Sequence, residues 1–271
     1  MKTYVINLDK YYNNYIEQKP YLENIGLEII RFKGINAIEN EHLEYKKYIN
    51  NLALEFCPNS ILGCSLSHIL LSKHIANLNE DITLIMEDDA FPKFNKKEFT
   101  KKLKETINKI TILDKDWDII QLHSDAPFPT YNTYFTHFLS GSMAAYLISK
   151  KGAIKMSKEN VSWHIDIHTS ANYKFKKYRS KENFFWTNEN SSLNRNLKST
   201  FFTNLICEFL TLSIPLRGEK TWNDFCNFKC IKLKDRDIYI YEIINNFLFM
   251  IFLKYISNIF SKRLIFTLKL S

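Results

Sequence analysis

The stretch ITLIMEDDA, residues 82–90, decides the fold of this 271-residue chain. Its first five residues are apolar or β-branched and it then runs into three acids, the pattern of a buried strand that ends at a polar edge. Pro92 is expected to end the strand, and an amphipathic helix over residues 96–112 follows. A further strand is predicted at WDIIQLH (117–123), so strand and helix alternate here.

The same alternation continues on both sides of this stretch. Before it, TYVINL (3–8) predicts a first strand, the stretch to about Asn24 a helix, and LEIIRFKGI (27–35) a second strand. After it, SGSMAAYLIS (140–149) predicts a strand of small residues and residues 150–160 a short helix. Alternation over residues 1–160 predicts an α/β fold, a mostly parallel sheet with helices on both faces.

The composition is that of an ordinary globular protein. Hydrophobic residues make up 45% and charged residues 24%, which excludes wholesale disorder, and six Gly and six Pro exclude collagen-like or Pro-rich architectures. No G-x-S-x-G, P-loop or G-x-G-x-x-G motif is present. A Ser–His–Asp hydrolase, a nucleotide triphosphatase and a Rossmann dehydrogenase therefore lack their motifs.

The cysteines and the N-terminus bear on the cellular compartment. Five cysteines, an odd number without a CxxC pair, favour free thiols in a reducing compartment and no zinc site. The opening MKTYVINLDK has too short an apolar run for a signal peptide, because Asn7 and Asp9 interrupt it. We therefore expect a cytoplasmic protein.

The chain changes character near residue 200. Residues 1–200 are expected to form the α/β domain and residues 201–271 a helical extension, in which residues 238–260 are strongly apolar but carry interrupting polar residues. From Lys229 onward, eight basic residues stand against three acidic ones. Residues 238–271 predict a helix lying on an anionic membrane surface and not a span. The alternative is a core helix that covers the sheet.

Glu87, Asp88 and Asp89 end the strand quoted first. Three adjacent carboxylates repel one another, so this arrangement costs stability unless a cation or hydrogen-bond donors compensate. Ligands of open α/β sheets bind at the carboxyl edge of the strands. In an extended strand Glu87 and Asp89 share a face whose hard oxygen ligands suit Mg²⁺ or Mn²⁺, while Asp88 points away. The alternative is a polar turn without a ligand.

A second candidate lies in ILGCSLSHILLSKHIANL (61–78), whose apolar residues have helical spacing. In this interpretation Gly63 opens the helix, and free N–H groups at the helix start attract an anion. Ser67 and His68 add side-chain donors. The structural alternative is a capping Ser65 and a buried core histidine.

A third candidate is WHIDIHTS (163–170). In an extended conformation His164, Asp166 and His168 share one face. That pattern suits either a metal site or a carboxylate base with imidazole neighbours, and a metal site would need a further ligand. The residues alone leave both alternatives open.

Taken in order, these motifs resemble glycosyltransferase family 25, the lipooligosaccharide glycosyltransferases related to the collagen galactosyltransferases. The segments that carry the resemblance span about residues 3–195 and are VINLD (5–9), RFKGINA (31–37), LGCSLSHI (62–69), LIMEDDA (84–90), WDIIQLH (117–123), AYLISKKGAIKM (145–156), the Asp166 segment and FFWTNENSSL (184–193). Two positions depart from the family: KYYNN (10–14) stands where members often carry Arg, and His164 stands where Pro is common.

The resemblance implies a GT-A-like, Rossmann-type fold and transfer with inversion from a UDP-sugar, with UDP-galactose first, to a lipid-linked glycan such as lipooligosaccharide. It implies Glu87 and Asp89 as ligands of Mn²⁺ or Mg²⁺ and Asp166 as the catalytic base. It assigns contacts with the donor to Asn7, Gly63, Ser67, His68 and Asp88. It implies no nucleic-acid partner.

Two other classes of protein use similar features. A metal-dependent phosphodiesterase or nuclease also combines acidic clusters with a basic surface, and it predicts hydrolysis of nucleic acid without a nucleotide sugar. A catalytically inactive, carbohydrate- or membrane-binding relative predicts no turnover, and binding that survives the change Asp89→Asn.

Overall fold

The computed structural model describes side chains and backbone for residues 1–50, 53–54, 57–124, 142–161, 164–166, 169 and 175–188, and backbone alone for residues 230–233 and 236–239. All structural statements below concern these residues.

The elements alternate as the sequence predicts. In chain order they are β1 (Lys2–Asn7), α1 (Tyr12–Asn24), β2 (Glu28–Lys33), α2 (Asn59–Ile75), β3 (Ile82–Glu87), β4 (Ala90–Pro92), α3 (Lys96–Leu113), β5 (Ile119–Gln121), β6 (Ala145–Ser149), α4 (Lys150–Met156), β7 (Lys177–Arg179), β8 (Phe185–Thr187), β9 (Cys230–Leu233) and β10 (Arg236–Tyr239). Short 3-10 helices occupy Asp9–Tyr11, Ala37–Glu39 and Glu41–Tyr48.

Six strands form the central sheet in the order β2-β1-β3-β6-β5-β7. Strand β6 is antiparallel to both of its neighbours, while the pairs β1–β2, β1–β3 and β5–β7 are parallel. Five strands therefore point the same way and end at one edge. The predicted mostly parallel sheet is confirmed.

Helices cover both faces of the sheet, as predicted. Along β3 the side chains alternate, so Ile85 packs in one core cluster, with residues of α2 and α4, and Leu84 and Met86 pack in the other, with residues of α1 and α3. Among the described residues, no helix combines the length and apolar character needed to cross a bilayer.

Strand β3 ends earlier than the sequence suggests. We expected one strand over residues 82–90, stopped by Pro92. Instead β3 ends at Glu87, and the next two residues, Asp88 and Asp89, form a turn. Pro92 then ends a second strand, β4, which pairs antiparallel with β8 in a two-stranded ribbon. Proline is tolerated at such an edge because its missing N–H is not needed by a further strand.

Within the C-terminal extension the structure describes residues 230–233 and 236–239. There β9 and β10 pair antiparallel, with Arg236 opposite Leu233 and Tyr239 opposite Cys230. These eight residues are therefore extended and not helical, because alternating apolar and polar residues favour strands. The remaining predictions for residues 201–271 lie outside the described residues.

Candidate functional site

A cleft opens at the edge of the sheet where β1 and β3 end. Its walls are the residues after β1, the loop after β2, the first turns of α2 and the acidic turn, including Tyr11, Asn14, Asn36, Ser60, Cys64 and the three acids. This is the carboxyl edge of the parallel strands, where ligands of α/β sheets bind. The cleft therefore brings together residues that are up to 83 positions apart, from Ile6 to Asp89.

The acidic turn is held in place by a buried amide on α1. Gln18 Nε2 donates to the carbonyl oxygens of Glu87, at 2.8 Å, and of Ala90, at 2.6 Å. These two bonds brace the backbone on either side of Asp88 and Asp89. All three acids line the cleft, so Asp88 does not face away as an uninterrupted strand would require.

Glu87 is held by donors from α2. His68 is fully buried, and its Nε2 lies 3.1 Å from Glu87 Oε1, while its Nδ1 lies 2.9 Å from the hydroxyl of Tyr146 on β6. The Cys64 thiol also donates to Glu87 Oε1, at 3.5 Å. Burial opposes ionisation of Glu87, but the His68 ring and its charge hold the pKa of this carboxyl below the ordinary value.

Asp88 receives its donor from β1. Asn7 Nδ2 donates to Asp88 Oδ2 at 2.6 Å, and Asn7 Oδ1 in turn accepts from Arg31 Nε at 2.7 Å. Burial, together with the charge of Glu87, raises the pKa of Asp88 to about 6 despite the bond from Asn7. Asn7 itself is buried behind the acid and is not part of the cleft wall.

Asp89 is the least compensated of the three acids. Burial and the charges of Glu87 and Asp88 raise its pKa to about 7. Its Oδ1 is buried and has no hydrogen-bond partner among the residues that the structure describes. A divalent cation would both bind this orphaned oxygen and offset the clustered negative charge, so the residues fit such an ion.

A second set of ligand atoms overlaps this site. Cys64 Sγ, a ring nitrogen of His68 and a carboxylate oxygen of Glu87 lie within 4.8 Å of one another. Burial and the charges of Glu87 and Asp166 raise the pKa of the Cys64 thiol well above its ordinary value, which disfavours the thiolate that metals require. The carboxylate oxygens are therefore the better ligands for a hard cation.

Helix α2 begins one turn before Gly63, which corrects the predicted helix start. Pro58 precedes the helix and its carbonyl accepts from Leu62 N–H at 2.9 Å, so the free N–H groups lie at residues 59–61. Gly63 instead packs against the loop after β2, where a Cβ would overlap the carbonyl oxygen of Ile35.

Ser67 and His68 also differ from the predicted arrangement of donors at a helix start. Ser67 Oγ donates to Gly63 O at 2.6 Å and accepts from Ile35 N at 2.8 Å, so it fastens the loop to the helix. Ser67, His68 and Asp88 contribute to the cleft wall, whereas Asn7 and Gly63 support it from behind.

Asp166 lies within electrostatic range of the acidic turn. Burial is the main cause of the raised pKa of Tyr146, and the charges of Glu87 and Asp166 add to it; the charge of His164 acts on Glu87. Asp166 Oδ2 lies 3.2 Å from His164 Nδ1, and both side chains are partly exposed. Among the described residues of this segment, 165, 166 and 169 are helical and not extended as predicted, and Thr169 Oγ1 donates to Ile165 O four residues earlier. His168 lies outside the described residues.

Sequence reasoning missed three residues that shape the site. Gln18 holds the acidic turn and Tyr146 contacts His68. Burial raises the pKa of Asp89, and the charge of His123 partly opposes that rise. Gln18 lies within α1, Tyr146 within β6 and His123 two residues after β5, none of them in a local motif, so only the fold brings them to the acids.

Comparison with known proteins identifies relatives. A family model described as "Glycosyltransferase family 25 (LPS biosynthesis protein)" matches residues 1–175. Procollagen galactosyltransferase 1-B of Xenopus laevis is 30% identical over 104 residues, which are 35% of this chain and 16% of that protein. The chain thus matches less than a fifth of the length of this relative.

Two solved structures overlap with this chain. The A197 protein from STIV has 9% identity and a TM-score of 0.38, covering 67% of this chain and 83% of its own. A Drosophila beta-1,4-galactosyltransferase 7, solved as a mutant with manganese, UDP-Gal and xylobiose, has 11% identity and a TM-score of 0.39, covering 86% of each chain.

Proposed function

Since the chain belongs to glycosyltransferase family 25, whose model matches residues 1–175, we propose that it is an inverting glycosyltransferase. It moves a hexose, with galactose the first candidate, from a UDP-sugar to a glycan acceptor. The acidic turn at the carboxyl edge of the sheet is the observation that supports this most directly, because its three carboxyls share one cleft.

The proposed donor site is the cleft. Glu87 and Asp89 would hold Mn²⁺ or Mg²⁺, and such a cation supplies stabilisation of the negative charge that grows on the departing diphosphate. Asp88 contacts the donor, with Asn7 orienting its carboxylate through the 2.6 Å bond. His68 and Ser67 keep Glu87 and the loop after β2 in position around the donor.

The proposed base is Asp166. Inversion requires a carboxylate on the acceptor side of the anomeric carbon to take the proton from the attacking hydroxyl. Asp166 lies close enough to the acidic turn for its charge to act on Cys64 and Tyr146. His164 Nδ1 lies 3.2 Å from its Oδ2 and helps to orient the carboxylate.

The family and the C-terminal sequence support a proposal for the acceptor and the location. We propose a lipid-linked glycan such as lipooligosaccharide, reached at the cytoplasmic face of a membrane. Residues 238–271 would bring the enzyme to that surface, because they combine long apolar runs with four basic residues.

The change Asp89→Asn tests the proposal. It keeps the size of the side chain but removes one of the two carboxylates proposed to hold the cation. Transfer from UDP-galactose should therefore fall at least 100-fold, and Mn²⁺-dependent binding of UDP should weaken. Transfer is measured with radiolabelled sugar and binding by titration calorimetry, with and without EDTA. Asp116→Asn, an exposed acid paired with Lys151 before β5, is the matched control and should behave as wild type.

Two results would contradict the proposal. Transfer by Asp89→Asn at the wild-type rate, or wild-type activity that EDTA leaves unchanged, removes the cation from the acidic turn. Cleavage of nucleic acid without consumption of any UDP-sugar favours the metal-dependent nuclease, and the absence of all turnover favours a binding protein.

A further inference from the structure

An aromatic patch lies beside the acidic turn. Trp186 on β8 is 45% exposed and Tyr21 on α1 is 55% exposed, while Phe91 of β4 between them is buried. Trp186 stacks on Phe91 with ring centroids 4.9 Å apart and planes inclined by 21°. Tyr21 meets Phe91 edge-on at 5.5 Å. The interior ring is thus covered, and two large rings face solvent.

The patch is joined to the acids along the β4–β8 ribbon. Phe91 pairs with Trp186 and Ala90 with Thr187, and Asn188 N–H donates to Asp89 O at 2.9 Å. Phe91 follows Asp89 by two residues, so the patch adjoins the acidic turn.

Helix α1 links the patch to the cleft. Asn14 lines the cleft, Gln18 holds the acidic turn and Tyr21 completes the patch. These residues are spaced by four and three positions, so they share one face of the helix. Asn14 and Tyr21 are about 10 Å apart along the axis. The acids that line the cleft therefore lie between Asn14 and the aromatic patch. The cleft and the patch flank the acidic turn on opposite sides.

We propose that the aromatic patch binds a pyranose ring of the glycan acceptor, with Trp186 as the stacking surface. This rests on the proposed function, since it names the acceptor side of the same site. The C–H face of a pyranose packs on a flat ring while its hydroxyl groups stay hydrated, and Trp offers the largest such ring. A ring held rigid from behind loses little conformational entropy on binding. Stacking of Trp186 on Phe91 provides that rigidity.

Saturation-transfer NMR with lactose and cellobiose tests the proposal on the full-length protein. Wild type should transfer saturation to the sugar C–H protons, Trp186→Ala should lose the signal at least 10-fold, and Trp186→Phe should retain part of it. Ile112→Ala, which removes an 84% exposed apolar side chain from α3, should match wild type. Circular dichroism verifies that each variant is folded.

Equal saturation of both sugars by wild type and Trp186→Ala would overturn the proposal, as would no saturation of either sugar by wild type. Loss of UDP binding in Trp186→Ala would also overturn it, because the patch would then belong to the donor. Hydrolysis of UDP-galactose by wild type without any acceptor is measured separately. Its absence counts against the proposed function, and the sugar-binding result still decides the patch.

Discussion

At the scale of single residues, the acidic turn depends on neighbouring side chains that donate hydrogen bonds to its carboxylates. A carboxylate only accepts hydrogen bonds, so His68 Nε2 donates to Glu87, while the other ring nitrogen, Nδ1, pairs with the hydroxyl of Tyr146. Burial raises the pKa of Tyr146 well above the ordinary value, which keeps that hydroxyl protonated. Tyr146 therefore orients Glu87 through His68 without touching the cleft acids itself.

Tyr146→Phe should lower activity about 10–100-fold, the usual cost of losing a group that orients a ligand. The Mn²⁺ concentration needed for half-maximal activity should rise, because Glu87 is less well positioned. Tyr178→Phe is the control: its hydroxyl donates to Asp114 at 3.0 Å, so the change removes a similarly buried bond elsewhere. An unchanged Mn²⁺ requirement in Tyr146→Phe would assign Tyr146 a purely structural role.

Asp166→Asn should separate chemistry from binding. The amide keeps the size of the side chain but cannot take a proton, so kcat should fall by roughly two to four orders of magnitude while binding of UDP survives. Steady-state kinetics and calorimetry give the two values. Weaker UDP binding with kcat preserved would instead make Asp166 a donor-binding residue or a metal ligand with His164.

At the scale of elements, α2 approaches the rest of the fold backbone to backbone. Gly63 allows the helix to lie against the loop at Ile35, and Ser67 then fastens that loop. The approach brings Cys64 and His68 to Glu87 across the top of the sheet. The absence of a side chain at Gly63 thus allows α2 to lie close enough to the sheet for Cys64 and His68 to contact Glu87.

Gly63→Ala should destabilise the protein by about 1–3 kcal/mol, the range for overpacking. On helix propensity alone the change would stabilise by about 1 kcal/mol, so the two effects predict opposite signs. Urea unfolding measures the difference. Lys104→Ala, at an exposed position of α3, should stay within about 0.5 kcal/mol of wild type. A Gly63→Ala variant more stable than wild type would show that the loop at Ile35 can shift to accommodate the added Cβ without a cost in stability.

At the scale of the whole molecule, the central sheet brings the site residues together, and the C-terminal extension carries an excess of basic residues. The cleft, the acidic turn and the aromatic patch adjoin one edge of the sheet. The proposed membrane contact lies in residues 238–271, in a part of the chain that follows the matched 175 residues. Catalysis and attachment are therefore separable by substitution.

Neutralising Lys254, Lys262, Arg263 and Lys269 to Gln in the full chain should weaken binding to anionic vesicles at least 10-fold, because each basic residue near the surface contributes about 1 kcal/mol. Co-sedimentation with phosphatidylglycerol and phosphatidylcholine vesicles measures this. Transfer to a water-soluble acceptor should be unaffected. The same change at Lys97, Lys101, Lys104 and Lys115, all exposed, is the matched control. Equal losses in both variants would indicate attraction by net charge and no dedicated surface.

Sequence alone determined the architecture and the family. Strands β1, β2 and β5 and helices α1 and α3 lie where hydrophobic periodicity predicts them, because burial against one sheet imposes a local pattern on each element. The acids were also found from sequence, since three adjacent carboxylates at a strand end are costly wherever they occur. Local order along the chain carries both signals.

Only the tertiary structure decided how the acids are arranged. The turn at Asp88 and Asp89 depends on Gln18 from α1, and the charge of Glu87 depends on His68 from α2 and Tyr146 from β6. The aromatic patch likewise needs α1, β4 and β8 together. The two ring contacts of the patch join residues 70 and 95 positions apart in sequence. Side-chain hydrogen bonds and ring stacking leave no periodic trace along the chain. Periodicity reports which face of an element is buried, whereas the partner on that face is chosen by the packing of the whole sheet.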